Sequence, residues 1–275
     1  MSFGFLFVIS ILAGIIGALS GMSGGVLLIP VLTSFGIDIK YAIAMSVVSV
    51  ISVSSSAALT YVRRHLPNLR GAAFLEVFAV FGALSGTWLA LIFKTRFLFF
   101  LCGGAVILSI IPFLRKDELS WKPAAQQDPF SKWVGFDGSY YDYAEERTIV
   151  YQGKNALWGG VCLFGAGIVS GFLGIGGSAF TVLVHHWVMG FPPKVSVTMS
   201  SLIIGVMALA SASIFLEAGF IKPGLAAPVI LGIPLGAWVG SRWLVYLNNR
   251  TVRILFSIVL VALGLQMIIH GFRKI

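Results

Sequence analysis

The chain has 275 residues, 58% of them hydrophobic and only 11% charged, with a formal net charge of +9. A soluble domain of that size would leave far too much apolar surface in water, so the composition is that of an integral membrane protein. The basic residues fall in short loops and near the chain ends, which fits topology signals rather than a nucleic-acid surface. Apolar stretches recur at about 20 residues each, the length of a membrane-crossing helix, and no ten-residue alternation suggests a barrel. The two cysteines, Cys102 and Cys162, lie in apolar segments without CxxC or histidine spacing. They read as buried structural thiols, and no metal or cofactor is expected.

In chain order, residues 5 to 19 could pass for the apolar core of a secretory signal, but the first five residues lack its basic region. Residues 3 to 35 would make about 50 Å of helix if unbroken, well beyond a hydrocarbon core of about 30 Å. The glycine-rich knot at 21 to 25 and Pro30 are the natural places to turn or bend, because both residue types are poor in helix interiors. After a short turn at Gly36 to Lys40, residues 42 to 62 read as an apolar helix with Ser46, Ser49, Ser52 and Ser56 on one face. Such a stripe serves either close helix packing or the polar lining of a pathway. Arg63, Arg64, His65 and Arg70 form a basic loop. Residues 71 to 93 span again with Glu76 near the entry, Lys94 and Arg96 mark a tight turn, and 97 to 114 close the first half. Trp88 and, in the second half, Trp238 read as packing side chains rather than gates.

Residues 115 to 154 hold most of the acids together with Trp121, Trp133, Phe136, Tyr140, Tyr141 and Tyr143. So aromatic a linker predicts a small ordered element outside the membrane, with a hairpin around Asp137-Gly138. The domains expected are therefore 1–114, the linker 115–154, and 155–275.

The second half repeats the first. Ala13-Gly14-Ile15-Ile16-Gly17-Ala18-Leu19-Ser20-Gly21-Met22-Ser23-Gly24-Gly25 returns without gaps as Ala166-Gly167-Ile168-Val169-Ser170-Gly171-Phe172-Leu173-Gly174-Ile175-Gly176-Gly177-Ser178. Gly190 to Lys194 lines up with Gly36 to Lys40, and Gly236 to Gly240 with Gly82 to Gly86, at an offset of 153 or 154 throughout. A duplicated membrane unit follows, and since the first knot is one of its copies, the N-terminal segment is expected to be retained. Parity relates the halves: knots that merely bend a helix give parallel halves, and knots that close hairpins give inverted ones. The inverted arrangement is preferred, although the loop charges, seven on one side and six on the other, do not discriminate. The basic residues beside the linker place it weakly on the cytoplasmic side.

Paired, broken apolar segments point to a transport site. A broken helix exposes backbone N–H groups at the start of its second piece, where the helix dipole adds partial positive charge, so two such ends near mid-depth would hold a small oxyanion without a buried arginine. The candidate cradle is Ser20, Gly21, Ser23, Gly24 and Gly25 with Gly174, Gly176, Gly177 and Ser178. Ser46, Ser49, Thr198, Ser200 and Ser201 are candidate lining residues. His185 and His186 are candidates for taking up a coupling proton, the plain alternative being histidines satisfied by backbone.

The run Ala-Gly-x-x-Ser-Gly-x-x-Gly-x-Gly-Gly at 166 to 177 and its degenerate partner at 13 to 25 carry a likeness to a known family. So do the turns Lys40-Tyr41-Ala42-Ile43-Ala44-Met45-Ser46 and Lys194-Val195-Ser196-Val197-Thr198-Met199-Ser200. Together they resemble the sulfite exporter TauE/SafE family, also called toluene sulfonate uptake permeases. The resemblance covers both halves. It implies about eight transmembrane helices as two four-helix repeats, and ion- or proton-coupled transport of sulfite, sulfonates, sulfoacetate or related anions across the plasma (inner) membrane. Its partners would be the small anion and the bilayer, with no nucleic acid; homodimerisation is left open. Two departures mark the halves as unequal: Ser23 answers Gly176, and Pro30 answers Leu183. An anion channel of the same build is the alternative. Gly21-Met22-Ser23-Gly24 also matches the short pattern of rhomboid-type intramembrane serine proteases, with His185, His186 or His270 as base. The second copy, Gly174-Ile175-Gly176-Gly177, lacks a nucleophile, so backbone geometry is favoured over covalent chemistry and no enzyme is expected.

Overall fold

In the computed structural model the described residues are 3–20, 25–63, 66–108, 127–142, 146–174, 176–244, 261–262 and 264–272. They fold as α1 (Phe3–Ser20), α2 (Gly25–Ser34), α3 (Ile39–Arg63), α4 (Leu69–Ile92), α5 (Thr95–Leu108), α6 (Pro129–Val134), β1 (Asp137–Asp142) and β2 (Arg147–Gln152). After these come α7 (Ala156–Leu173), α8 (Ser178–Leu183) with a π turn over Val184–Val188, α9 (Pro193–Glu217) and α10 (Pro223–Leu244). Residues 264–272 are helical as well. Among the described residues, α3, α4, α7 and α9 are long and apolar enough to cross a membrane, and α1, α5 and α10 contain shorter apolar stretches. The protein is therefore a mostly helical, polytopic membrane protein.

The helix boundaries follow local chemistry. The Asn68 side chain caps α4 by accepting a hydrogen bond from the Gly71 N–H at 2.9 Å. Asp128 caps α6, with Pro129 in its first turn and Gly135 closing it in the left-handed conformation. Pro30 sits inside α2, where it cannot donate a backbone bond. The helix there is tightened by Thr33 and Ser34, whose hydroxyls donate back to the Ile29 and Pro30 carbonyls.

Two helix pairs form the frame: α1 packs on α10, and α4 packs on α7. Each seam is made of glycine. A Cβ on Gly14 would run into the Ile233 carbonyl oxygen and one on Gly236 into that of Ile11; a Cβ on Gly167 would run into the Ala79 carbonyl oxygen and one on Gly82 into that of Phe164. Small residues let the backbones touch, which is how helices associate where no hydrophobic effect separates them from lipid. Gly14 and Gly167 are 153 residues apart, and Gly82 and Gly236 are 154 apart, so the two seams share one register. Between the pairs, α3 and α9 cross, with Ser54 seated against Gly205.

One end of the bundle gathers the start of α1, the turn from α2 to α3, the end of α4 and the turn from α9 to α10. There Phe5 meets Phe35 edge-on at 5.0 Å. Tyr41 meets Phe220 at 5.1 Å, the Lys222 ammonium lies 4.8 Å from the Tyr41 ring, and the Lys40 ammonium donates to the Leu91 carbonyl at 2.6 Å. The opposite end gathers the starts of α4, α7 and α9 and the end of the π turn. Asn155, just before α7, ties the start of that helix to the end of the π turn, its Nδ2 donating to the Val188 carbonyl at 3.1 Å. α1 and α2 thus leave and return to one end, and α7 and α8 leave and return to the other. The ten residues of α2 cover about 15 Å, half of a hydrocarbon core of about 30 Å.

The segment between the halves folds over the second of these ends. The Asn68 amide donates to the Gly135 and Asp137 carbonyls, and Phe136 packs on Phe191 at 5.2 Å. Its antiparallel ladder runs from Asp137↔Gln152 to Asp142↔Arg147. The hairpin exists, but Asp137-Gly138 opens its first strand rather than its turn. A Cβ on Gly138 would meet the phenol end of Tyr151, its partner across the ladder, and the reversal falls after Asp142. A second correction concerns Trp88 and Trp238, which are 61% and 57% exposed. They face the surroundings of the bundle, as amphipathic rings do near a membrane interface, and do not pack inside it.

Candidate functional site

The second knot is a succession of left-handed glycines: Gly174 has φ 66°, Gly176 φ 80° and Gly177 φ 59°. Residues with a side chain resist these values, which is the physical reason for glycine at each. Gly174 ends α7, its N–H donating to the Ser170 carbonyl, and Gly177 opens α8. The first bond inside α8 runs from the Thr181 N–H to the Gly177 carbonyl at 3.1 Å, so the amides of residues 178–180 have no acceptor within the helix. Of the first knot, residues 21–24 lie outside the described residues, and with them Gly21, Ser23 and Gly24. The same holds for the side chain of Ser20.

Ser46 joins the two knots. Its hydroxyl donates to the Gly174 carbonyl at 2.5 Å, across 128 residues of sequence. The same oxygen lies where a Cβ on Gly25 would stand, and the Ser49 oxygen is next to it. Ser49 donates in turn to the Ser46 carbonyl at 2.6 Å. All of this is buried: Ser46 and Ser49 have no solvent exposure. One turn earlier on α3, the Ile43 carbonyl oxygen stands in the way of a Cβ on Gly174. Gly25, at the start of α2, and Gly174, at the end of α7, therefore meet one buried cluster with Ser46 and Ser49 of α3. The serine stripe does not continue as lining, since Ser52 is half-buried and Ser56 exposed.

The remaining candidates separate. Ser178 is half-buried at the start of α8. Gly176 and Gly177 are buried, with Gly177 closing onto Ser170. Ser200 is buried and lies 2.9 Å from Nδ1 of His185. Thr198 is buried but turns back to its own helix at the Val195 carbonyl, and Ser201 does the same at Val197 while half-buried. The two histidines differ: His185 is wholly buried, whereas half-buried His186 bonds through Nδ1 to the Phe191 carbonyl at 3.0 Å. His270 lies elsewhere, stacked on Phe99 at 6.3 Å.

Two residues were not singled out from the sequence and could have been. Thr181 is wholly buried, four residues after Gly177 and four before His185, and its hydroxyl donates to the Ser178 carbonyl at 2.9 Å. Phe191, buried in the Gly190-Phe191-Pro192-Pro193 turn, meets the His185 ring edge-on at 6.3 Å and accepts from Ser196 through its carbonyl. Gly177, Thr181 and His185 share a helix face by spacing alone. No group of three or more His, Cys, Asp or Glu side chains suited to a metal occurs among the described residues.

Comparison with known proteins places this arrangement. The chain is 26% identical to the probable membrane transporter protein YunE of Bacillus subtilis, over 98% of its own length and 99% of the relative. It is 25% identical to the probable membrane transporter protein YdhB of the same organism, over 86% of its own length and 87% of that protein. No solved structure matches. The family model described as Sulfite exporter TauE/SafE matches residues 6–267, both knots included, and the chain is a membrane transporter belonging to that family.

Proposed function

We propose that the protein is a secondary transporter of small sulfur-containing anions such as sulfite, sulfonates or sulfoacetate, built from two inverted copies of one helical unit. The matched seams and the return of α1–α2 and α7–α8 to opposite ends support the inverted arrangement. The observation that carries the site is Ser46, which touches Gly25 of one knot and Gly174 of the other. A hydroxyl can exchange the Gly174 carbonyl for an anion oxygen by rotating its hydrogen, without moving its heavy atoms. The first amides of α2, starting at Gly25, add neutral donors at the positive end of a helix. Neutral donors hold an anion without a fixed counter-charge, firmly enough to admit it and weakly enough to let it go, as a carrier requires.

The test is uptake into liposomes holding the purified protein, using radiolabelled sulfite, sulfate, taurine and sulfoacetate. Saturable uptake of one or more of these, competed by unlabelled sulfite, is expected. Absence of uptake of all four in sealed, correctly reconstituted vesicles would remove the substrate class.

A further inference from the structure

The second half carries polar groups where the first carries leucine. Thr181 and His185 follow Gly177 by four and eight residues, and all three are buried. At the offset of 153, the first half has Leu28 and Leu32 in those places, also buried. A histidine therefore stands in an interior position that packing alone would fill with an aliphatic side chain.

Its hydrogen bonding is one-sided. Nδ1 lies 2.9 Å from the Ser200 hydroxyl and 3.4 Å from the Ser196 carbonyl. A carbonyl only accepts, so the tautomer that satisfies both contacts carries its hydrogen on Nδ1, and in it the neutral ring presents Nε2 as a bare lone pair. Nε2 is buried with no partner. Buried polar atoms are rarely left so, and an orphan on a functional face marks chemistry that completes it. The ring is also set on a π turn, Val184–Val188, a local widening that is frequent at functional sites.

We infer that His185 Nε2 is the proton-accepting atom of this transporter, a proposal that rests on the transport reading above and assigns its coupling to one residue. Hydronium gives its proton to the Nε2 lone pair and leaves as water; the ring becomes a cation, and the proton is returned to water on the other side. No electron is transferred. Among the described residues, the elements packed on this ring place no fixed charge against it. α7 has no Asp, Glu, Lys or Arg and only Cys162 as a titratable group, and α8 has none. α9 has Lys194 and Glu217 at its ends, both exposed. On the π turn, His186 is engaged with the Phe191 carbonyl. Beyond Phe191, Tyr151 packs at 5.8 Å, its phenol pushed up to about 12 by burial and so neutral. An arriving anion is then the counter-charge for the imidazolium, which ties the two movements together.

The experiment uses the full chain in liposomes loaded with a pH-sensitive dye and driven by a sulfite gradient. Wild type acidifies the lumen as sulfite enters, and H186Q keeps the wild-type ratio of protons to sulfite. H185Q lowers that ratio at least tenfold. An unchanged ratio in H185Q would overturn the proposal. Should wild type carry no sulfite, or H185Q move none, the substrate or the fold of the variant is at issue and the proposal is decided separately by 15N-histidine NMR. A signal absent from H185Q that shows the Nδ1–H tautomer and titrates supports it, and an Nε2–H tautomer or a ring that never titrates overturns it.

Discussion

The two halves are alike where helices touch and unlike where the chain returns. Gly14 on Gly236 and Gly167 on Gly82 make the same seam twice, backbone to backbone, in one register. The returning pieces diverge: α2 carries Pro30, Leu28 and Leu32, while α8 and its π turn carry Thr181 and His185. Packing thus holds the shared frame in place, and the difference between the knots is where specificity and coupling can reside.

The sharpest way to break the comparison is at the seams. Gly82→Leu and Gly236→Leu each force a side chain into a carbonyl of the facing helix, an overpacking of about 3 kcal/mol or more. Equal loss of monodisperse protein, at least tenfold, is expected for both; one variant folding normally while the other fails would show that the seams are not equivalent. Next is Gly174→Ala, which combines a left-handed φ with the Ile43 carbonyl in the way, at a cost of about 1–3 kcal/mol. It is expected to lower the thermal midpoint by several degrees and sulfite uptake at least tenfold.

Smaller effects sharpen the account of the segment between the halves. Burial by itself raises the Asp128 carboxyl. Hydrogen bonds from the Ser131 hydroxyl and from the Asn155 and Ser131 N–H groups outweigh it and hold the group below its ordinary value. A lowered folded-state value means that this contribution is complete above the usual carboxylate range of about 3.9 and is lost as the pH falls through the lowered value. Limited proteolysis of residues 127–152 is expected to accelerate on acidification through that window in wild type, and to depend less on pH in Asp128→Asn. The smallest effect belongs to Ser201→Ala. That hydroxyl is half-buried and turned back on its own helix, so uptake within twofold of wild type is expected.

Much of this was legible beforehand because glycine is required wherever the backbone takes a left-handed turn or touches another backbone. Both needs recur in the two halves and leave the same letters. The repeated glycines therefore marked the second knot and the repeat itself, while the seams at Gly82 and Gly236 emerge only from the packing. Which serines face a knot was not legible, because a helix's rotation about its axis is set by its neighbours: Ser46 and Ser49 turn to the knots, and Ser52 and Ser56 away. His185 and His186 are adjacent in sequence, and the π turn that sends one inward and the other to the Phe191 carbonyl has no sequence signature. Thr181 was hidden for another reason, being an ordinary helix residue until its spacing from Gly177 and His185 is put beside its burial.

The central claim is that the two knots make one anion site through Ser46. Its most direct test is equilibrium binding of sulfite to purified wild type and Ser46→Ala. A dissociation constant at least tenfold weaker in the variant, about 1.4 kcal/mol, with the thermal midpoint of the unliganded protein little changed, is the predicted result. Wild-type affinity in a folded Ser46→Ala protein would contradict it.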